Sequence, residues 1–401
     1  MQKNSMILIK LLSAAISGKS PVLPESVPDW PVIYEEALAH QVHTLLFPVI
    51  EKLPAELKPE PALLSSWKND MLREGTFQIQ HVEQMVRVFQ YFKEQEIPMI
   101  ALKGLILRNY YPVKELRIMG DADVLIRYED LKRAHAALVK LGYKKGEFSE
   151  RHIVYTLEGF PDIELHTLLT ENSDMESKAD FTSHVWDNTS TELLDTTPVL
   201  SLSVKDQTLH QIFHIVHHIC SGGIGLRQLC DFTLFTAFHA KDIIWENIFS
   251  ELELYGYDKF TRTLLAICQD LFSLPLPDEL LPVEEEQALY YRNKLTEDIL
   301  EAGTFGKRTD ERAASRNILR YIKGGKRTMI FNLIRFLFPI PAQLRYRYRY
   351  AKKYPFLLPI AWVHRGVYNL RQLSLLAFIW NKESSTAYSD RIQLLTWLEL
   401  R

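Results

Sequence analysis

Cysteine is scarce: Cys220, Cys230 and Cys268 are the only three in 401 residues. Their odd number and spacing exclude a disulfide framework or a cysteine-rich metal site, and point to a reduced, cytoplasmic setting. Long apolar runs are missing too. No uninterrupted stretch reaches the roughly 18 residues that a membrane-spanning helix needs. Neither sign of charge dominates, with 47 Lys and Arg against 50 Asp and Glu, so the chain as a whole lacks a nucleic-acid-binding signature. The segment Met6 to Ile16 is apolar, but it is short and Lys10 interrupts it, which makes it an amphipathic helix and not a signal sequence.

The composition, 47% hydrophobic and 24% charged, is that of a globular protein. Its length exceeds what one hydrophobic core usually supports. Four regions are expected. Residues 1–74 form a lead-in of short helices jointed by Pro21, Pro24, Pro28, Pro31, Pro54, Pro59 and Pro61. Residues 75–202 mix strands and helices, residues 203–305 are helical, and residues 306–401 form a basic, aromatic-rich helical tail. The class is therefore α+β, a small mixed-sheet core flanked by N-terminal helices and a C-terminal helical region. From about Leu72 to Glu96, Ile79, Val82, Val86 and Phe89 recur at helical spacing, and Pro98 ends the helix. Tyr128 to Leu141 reads as an amphipathic helix capped by Gly142, and Tyr143 to Thr156 as edge strands.

The most informative residues lie in the run Arg117-Ile-Met-Gly-Asp-Ala-Asp-Val-Leu-Ile126. Side chains alternate along a strand, so Asp121 and Asp123 share one face. Two hard oxygen ligands side by side suit Mg²⁺, which takes one or two protein carboxylates and completes its octahedron with water and substrate phosphate. Upstream, Ile97 to Gly104 is a short apolar run ending in Lys103 and Gly104, a strand entering a tight turn. Glycine there lets backbone approach a phosphate, and lysine supplies a point charge. Downstream, Asp162-Ile-Glu-Leu-His166 alternates again and offers a third carboxylate in Glu164.

Together these segments resemble the polymerase-beta-type nucleotidyltransferase superfamily, and within it the largely uncharacterised bacterial nucleotidyltransferase proteins. The resemblance rests on Leu102 to Gly104, Arg117 to Val124 and Ile163 to His166, and extends over roughly residues 75–240. It implies transfer of a nucleoside monophosphate from a nucleoside triphosphate to a hydroxyl or phosphate acceptor. Asp121, Asp123 and Glu164 would be the catalytic, metal-holding residues for Mg²⁺ (or Mn²⁺), with Glu164 on the ion that activates the acceptor. Lys103, Gly104, Arg117 and Arg227 would contact the nucleotide. Likeness to proteins of surface-polysaccharide loci makes a sugar or sugar phosphate one acceptor to consider. Leu105 stands where the superfamily turn usually carries Ser or Gly, and Leu105 to Tyr111 is expected to be helical before a loop carrying Pro112.

Two further features bear on function. His210, His214, His217 and His218 cluster near one face of a helix over Thr208 to Cys220, a candidate metal site for a hydrolase. Arg227 and Asp231 follow four residues apart, a spacing that allows an ion pair bordering the cleft. Between residues 307 and 353, fourteen Lys and Arg face only Asp310 and Glu311. Interleaved aromatics make anionic membrane, RNA or an acidic carrier its candidate partners, with the inner membrane surface favoured by apolar anchors such as Phe356 and Trp362. Three function classes follow: nucleotidyl transfer, a non-catalytic nucleotide-binding regulatory module, and a histidine-centred metal hydrolase.

Overall fold

A computed structural model describes residues 3–22, 26–148, 152–169, 181–182, 184–282, 285–303, 350–351, 354–370 and 382–400. The chain divides into two units, Met1–Ile219 with Gly223–Thr304, and Cys220–Gly222 with Phe305–Arg401. The first unit has the expected α+β class. Its sheet comprises β1 (Met99–Ala101), β2 (Asp121–Ile126), β3 (Lys144–Phe148), β4 (His152–Leu157), β5 (Phe160–His166), β6 (Ser190–Leu194) and β7 (Thr197–Ser201), ordered β3-β4-β5-β2-β1-β7-β6. It is mixed: β2 runs parallel to β5 and β1 parallel to β7, while the other pairs are antiparallel.

Helices α1 (Lys3–Ser17), α2 (Trp30–Ala39), α3 (His43–Ile50) and α4 (Pro61–Glu94) precede the sheet. The apolar amino-terminal segment is a packed helix: α1 buries Leu8, Leu11, Leu12 and Ile16 and lies against α2, α3 and a later helix, α10 (Asp258–Phe272). At 34 residues, α4 is longer than its periodicity predicts. Pro61 sits in its first turn, where a missing N–H costs nothing. The added turns are held by Trp67, fully buried, whose indole N–H donates to the His43 carbonyl at 2.7 Å. The buried stripe runs through Gln78, Val82, Met85, Phe89 and Phe92, whereas Ile79 is exposed. Each fully buried member, such as Met85, contributes roughly 2 kcal/mol of burial free energy.

That stripe and α6 (Leu131–Lys140) cover one face of the sheet, packing on Ala122, Val124 and Ile126 of β2, Ile163 and Leu165 of β5, and Ile153 and Tyr155 of β4. Alternation sends the intervening residues to the other face, where Ile100, Leu102, Leu125 and Leu202 form a smaller apolar cluster beside the acidic residues. Between β1 and β2, α5 (Gly104–Leu107) runs into a short 3-10 turn, Arg108–Tyr110. After β7 come α7 (Val204–Ser221), α8 (Leu226–Phe238), α9 (Trp245–Glu253), α10 and α11 (Glu286–Ala302). In the second unit, a 3-10 turn at Pro355–Leu357 leads into α12 (Leu358–Leu370), and α13 spans Lys382–Trp397. The basic run 307–353 lies outside the described residues apart from Tyr350 and Ala351. Among the described residues, no helix is long and apolar enough to cross a membrane.

One buried histidine ties stability to pH. His81, on α4 and 1% exposed, has no hydrogen-bond partner for either ring nitrogen among the described residues. Desolvation first, and the nearby Arg108 guanidinium second, lower its pKa from 6.5 to about 4. The unfolded chain then binds more protons than the folded one between those values. Stability should be complete above pH 6.5 and decline as pH falls toward 4, by roughly 3 kcal/mol at most from this residue. Urea unfolding across that range is expected to show a shallower decline in His81→Leu; an unchanged slope would contradict the assignment.

Candidate active site

The acidic face is built by strand register. In the parallel pair, Asp121 stands beside Asp162 and Asp123 beside Glu164. Registered neighbours in adjacent strands point the same way, so Asp121, Asp123 and Glu164 share the face opposite α4 and α6. Asp121 is exposed at the head of β2, Glu164 is half-buried, and Asp123 is buried at 4% exposure. His166, two residues beyond Glu164, joins the same face. Its Nε2 lies 2.8 Å from Asp123 Oδ1 and 3.5 Å from Glu164 Oε2, so the imidazole bridges the two carboxylates.

Lys103 closes the other side. At the end of β1 it adopts φ +47° and ψ −121°, a conformation that costs a non-glycine residue about 1–3 kcal/mol. The strained turn brings its Nζ within 2.6 Å of Asp123 Oδ1. Desolvation alone would raise the Asp123 pKa, but the Lys103 ammonium and the His166 hydrogen bond outweigh it and pull it far below the usual carboxylate range. Asp121 moves the other way: desolvation, then repulsion from Asp123, push it up, only partly countered by Lys103. Gly104 follows directly. A Cβ at this position would lie 2.5 Å from Arg117 Nη1 and 2.9 Å from Met119 Sδ, so any side chain here would push those two buried groups from their places.

A family model described as "Uncharacterised nucleotidyltransferase" matches residues 26–273. The chain belongs to that nucleotidyltransferase family. The match takes in α2 to α4 and α7 to α10 as well as the sheet. No curated protein matches the chain. Among solved structures, the solution structure of the antibiotic-resistance factor ANT(2″)-Ia is similar at 10% identity, covering 44% of this chain and 94% of that one, with a TM-score of 0.35. The crystal structure of ANT(2″)-Ia in complex with adenylyl-2″-tobramycin is similar at 11% identity over 39% and 88% of the two chains, with a TM-score of 0.31.

In this nucleotidyltransferase the arginines sort differently from the spacing argument. Asp231 does not pair with Arg227. It accepts from Arg117 through two bonds, Nε to Oδ1 at 3.1 Å and Nη2 to Oδ2 at 2.5 Å, and from the Tyr111 hydroxyl at 2.7 Å. Arg117 and Asp231 are both buried, so the pair locks α8 to the loop before β2. Arg227, one turn earlier on α8, donates to the Ile118 carbonyl at 2.8 Å, and its Nε has no partner among the described residues. Burial, then repulsion from Arg117, lower its pKa to about 10. The bond to Ile118 sets Arg227 against the segment leading into β2 and Asp121.

The histidines of α7 do not gather around one point. His214 and His218 meet edge to face with ring centroids 4.3 Å apart, and His210 lies 6.3 Å from His214. Burial, then the Lys103 charge, hold His214 well below the usual imidazole range. The group among the described residues whose ligand atoms do converge, all within 4.8 Å, is His152, Glu164 and His166. The α7 cluster therefore lacks the geometry that the hydrolase class requires. His152 carried no motif, and its place became visible only through its pairing with His166 across β4 and β5.

The Arg117–Asp231 lock generates a direct expectation. Asp231→Asn leaves a buried guanidinium without its counter-charge, which costs about 3–5 kcal/mol. Denaturant unfolding of the variant should reveal that loss; a change within the scatter of surface substitutions would mean that the pair does not hold α8.

Proposed function

We propose that this nucleotidyltransferase moves a nucleotidyl group from a nucleoside triphosphate to a hydroxyl or phosphate acceptor, with Asp121, Asp123 and Glu164 as catalytic residues holding Mg²⁺ (or Mn²⁺). The observation that carries the reading is the β2–β5 register, which sets three carboxylates on one face of the sheet. The donor set fits the ion: it is hard oxygen, with Asp121 and Asp123 two residues apart on one strand face and Glu164 registered beside Asp123. When bound, divalent ions there would offset the charge that builds on the attacking and leaving oxygens of an in-line displacement.

The chain's own residues take distinct parts. The amides of Leu105, Ile106 and Leu107 already donate to the carbonyls of Leu102 and Lys103, so side chains carry more of the phosphate grip than this backbone turn does. Arg227, with its unpartnered Nε, is the cation we assign to the triphosphate. Lys103 balances Asp123 and can turn its ammonium to a phosphate when another cation takes its place. Gly104 gives the room in which Arg117 sits, and Arg117 contributes by holding α8, and with it Arg227, against the site. Glu164 is the proposed base or metal ligand nearest the acceptor, which we place among hydroxyl or phosphate compounds, sugars and sugar phosphates included.

One observation favours a second reading, a module that binds nucleotide without transfer: the turn amides are spent and Leu105 replaces the usual Ser or Gly. Nucleotide binding is common to both. A thermal-shift screen of the four nucleoside triphosphates is expected to show stabilisation by at least one of them only when Mg²⁺ is present. Asp121→Asn and Asp123→Asn should abolish that shift, and Arg227→Met should weaken it. Stabilisation that ignores Mg²⁺, or survives both aspartate changes, would overturn the proposal. Release of pyrophosphate in the presence of acceptor candidates separates transfer from binding alone.

A further inference from the structure

Glu164 has imidazoles on both of its oxygens. His152 Nε2 lies 3.7 Å from Oε1 and His166 Nε2 lies 3.5 Å from Oε2. We infer that His152, Glu164 and His166 form a transition-metal position at the edge of the acidic face, one that takes Mn²⁺ or a similar first-row divalent ion in preference to Mg²⁺. The inference rests on the transfer reading, because Glu164 belongs to both, and it names the metal chemistry that this end of the site selects.

The backbone fixes the arrangement. Antiparallel pairing sets His152 opposite His166 and Val154 opposite Glu164, so the three side chains leave two neighbouring strands on one face. The two rings are neither stacked nor turned apart: their centroids are 5.2 Å apart at an interplanar angle of 51°, and both present Nε2 to the same carboxylate. The ligand atoms all fall within 4.8 Å of one another, a span that one ion can bridge with small side-chain adjustments. Exposure is graded. His152 and Glu164 side chains are each 24% exposed and that of His166 is 10%, which leaves a path for an ion while keeping most of the shell dry.

The donor set decides the metal. Mg²⁺ binds oxygen almost exclusively and keeps much of its water, whereas imidazole nitrogen suits Fe²⁺ and Zn²⁺, and Mn²⁺, the weakest binder of the first-row series, accepts it more readily than Mg²⁺ does. Two imidazoles and one carboxylate therefore discriminate against Mg²⁺ in a way that Asp121 and Asp123 do not. Ligation at His166 Nε2 releases any proton held there to solvent. Asp123 Oδ1, 2.8 Å from that nitrogen, loses the imidazole hydrogen bond and retains the Lys103 ammonium as its counter-charge until nucleotide binds. The same nitrogen thus joins the mixed site to the all-oxygen one.

The test uses the purified full-length chain and Mn²⁺. Electron paramagnetic resonance should reveal stoichiometric Mn²⁺ uptake, and pulsed spectra of the bound ion should carry ¹⁴N couplings from imidazole. About a hundredfold excess of Mg²⁺ should fail to remove the nitrogen-coupled ion. His152→Gln should weaken Mn²⁺ uptake by at least about tenfold. Bound Mn²⁺ without nitrogen coupling, ready displacement by Mg²⁺, or uptake unchanged in His152→Gln would each overturn the inference and leave the histidines as orienting partners of Glu164. The ¹⁴N coupling is read on the unaltered protein, so it stands even if the variant fails to fold. Failure of the transfer reading looks different: no Mg²⁺-dependent nucleotide stabilisation, with the nitrogen-coupled Mn²⁺ retained.

Discussion

The parallel pairing of β2 with β5 is the constraint on which the site depends. It sets Asp123 beside Glu164 with Asp121 two residues away, and so forces like charges together on one face of the sheet. That face is affordable because the other is dry: Val82, Met85 and Phe92 of α4 and Leu138 of α6 bury the alternate residues of the same strands. A one-residue slip in either strand would exchange the two faces, turning carboxylates into the core and apolar side chains to solvent. The hydrophobic pattern therefore fixes the position of the acids more firmly than any bond among them. Lys103, held in a strained turn, and His166 then temper that charge at Asp123.

A second device extends the site beyond the sheet. Arg117 and Asp231, 114 residues apart in sequence, meet as a buried, doubly hydrogen-bonded pair, and Tyr111 completes the shell around Asp231. Breaking such a pair costs far more than forming it gains, so its effect is to specify where α8 lies. Gly104 and Arg227 are both set by that pair. The glycine leaves space for the Arg117 guanidinium, and Arg227 reaches the Ile118 carbonyl from the helix that the pair fixes.

Local pattern made part of this legible. Alternation in residues 121–126 and 162–166 put the three acids on strand faces, and Pro98 marked the end of α4. Ile79 misled, because the buried stripe of α4 is set by Gln78, which brackets Met119 through both its amide atoms, and by Val82 and Met85. The hairpin of β6 and β7 had no glycine signal: its turn places Asp195 at φ +56°. His152 was hidden by a register shift. Counting outward from the pairing of Leu157 with Phe160 puts a neighbour of His152 opposite His166, and the irregularity between Tyr155 and Leu157 moves His152 there instead. Arg117 looked like a phosphate ligand because nothing local announces a partner so distant in sequence.

The central claim is that Asp121 and Asp123, on the strand face they share with Glu164, take up a cation that a triphosphate can reach. A crystal structure of the protein with Mg²⁺ and a non-hydrolysable nucleoside triphosphate tests it most directly. The account predicts Mg²⁺ ligated by Asp121 and Asp123, Lys103 displaced from Asp123 toward phosphate, and the triphosphate against Arg227. A nucleotide bound elsewhere, or an ordered Mg²⁺ that bypasses both aspartates, would contradict it.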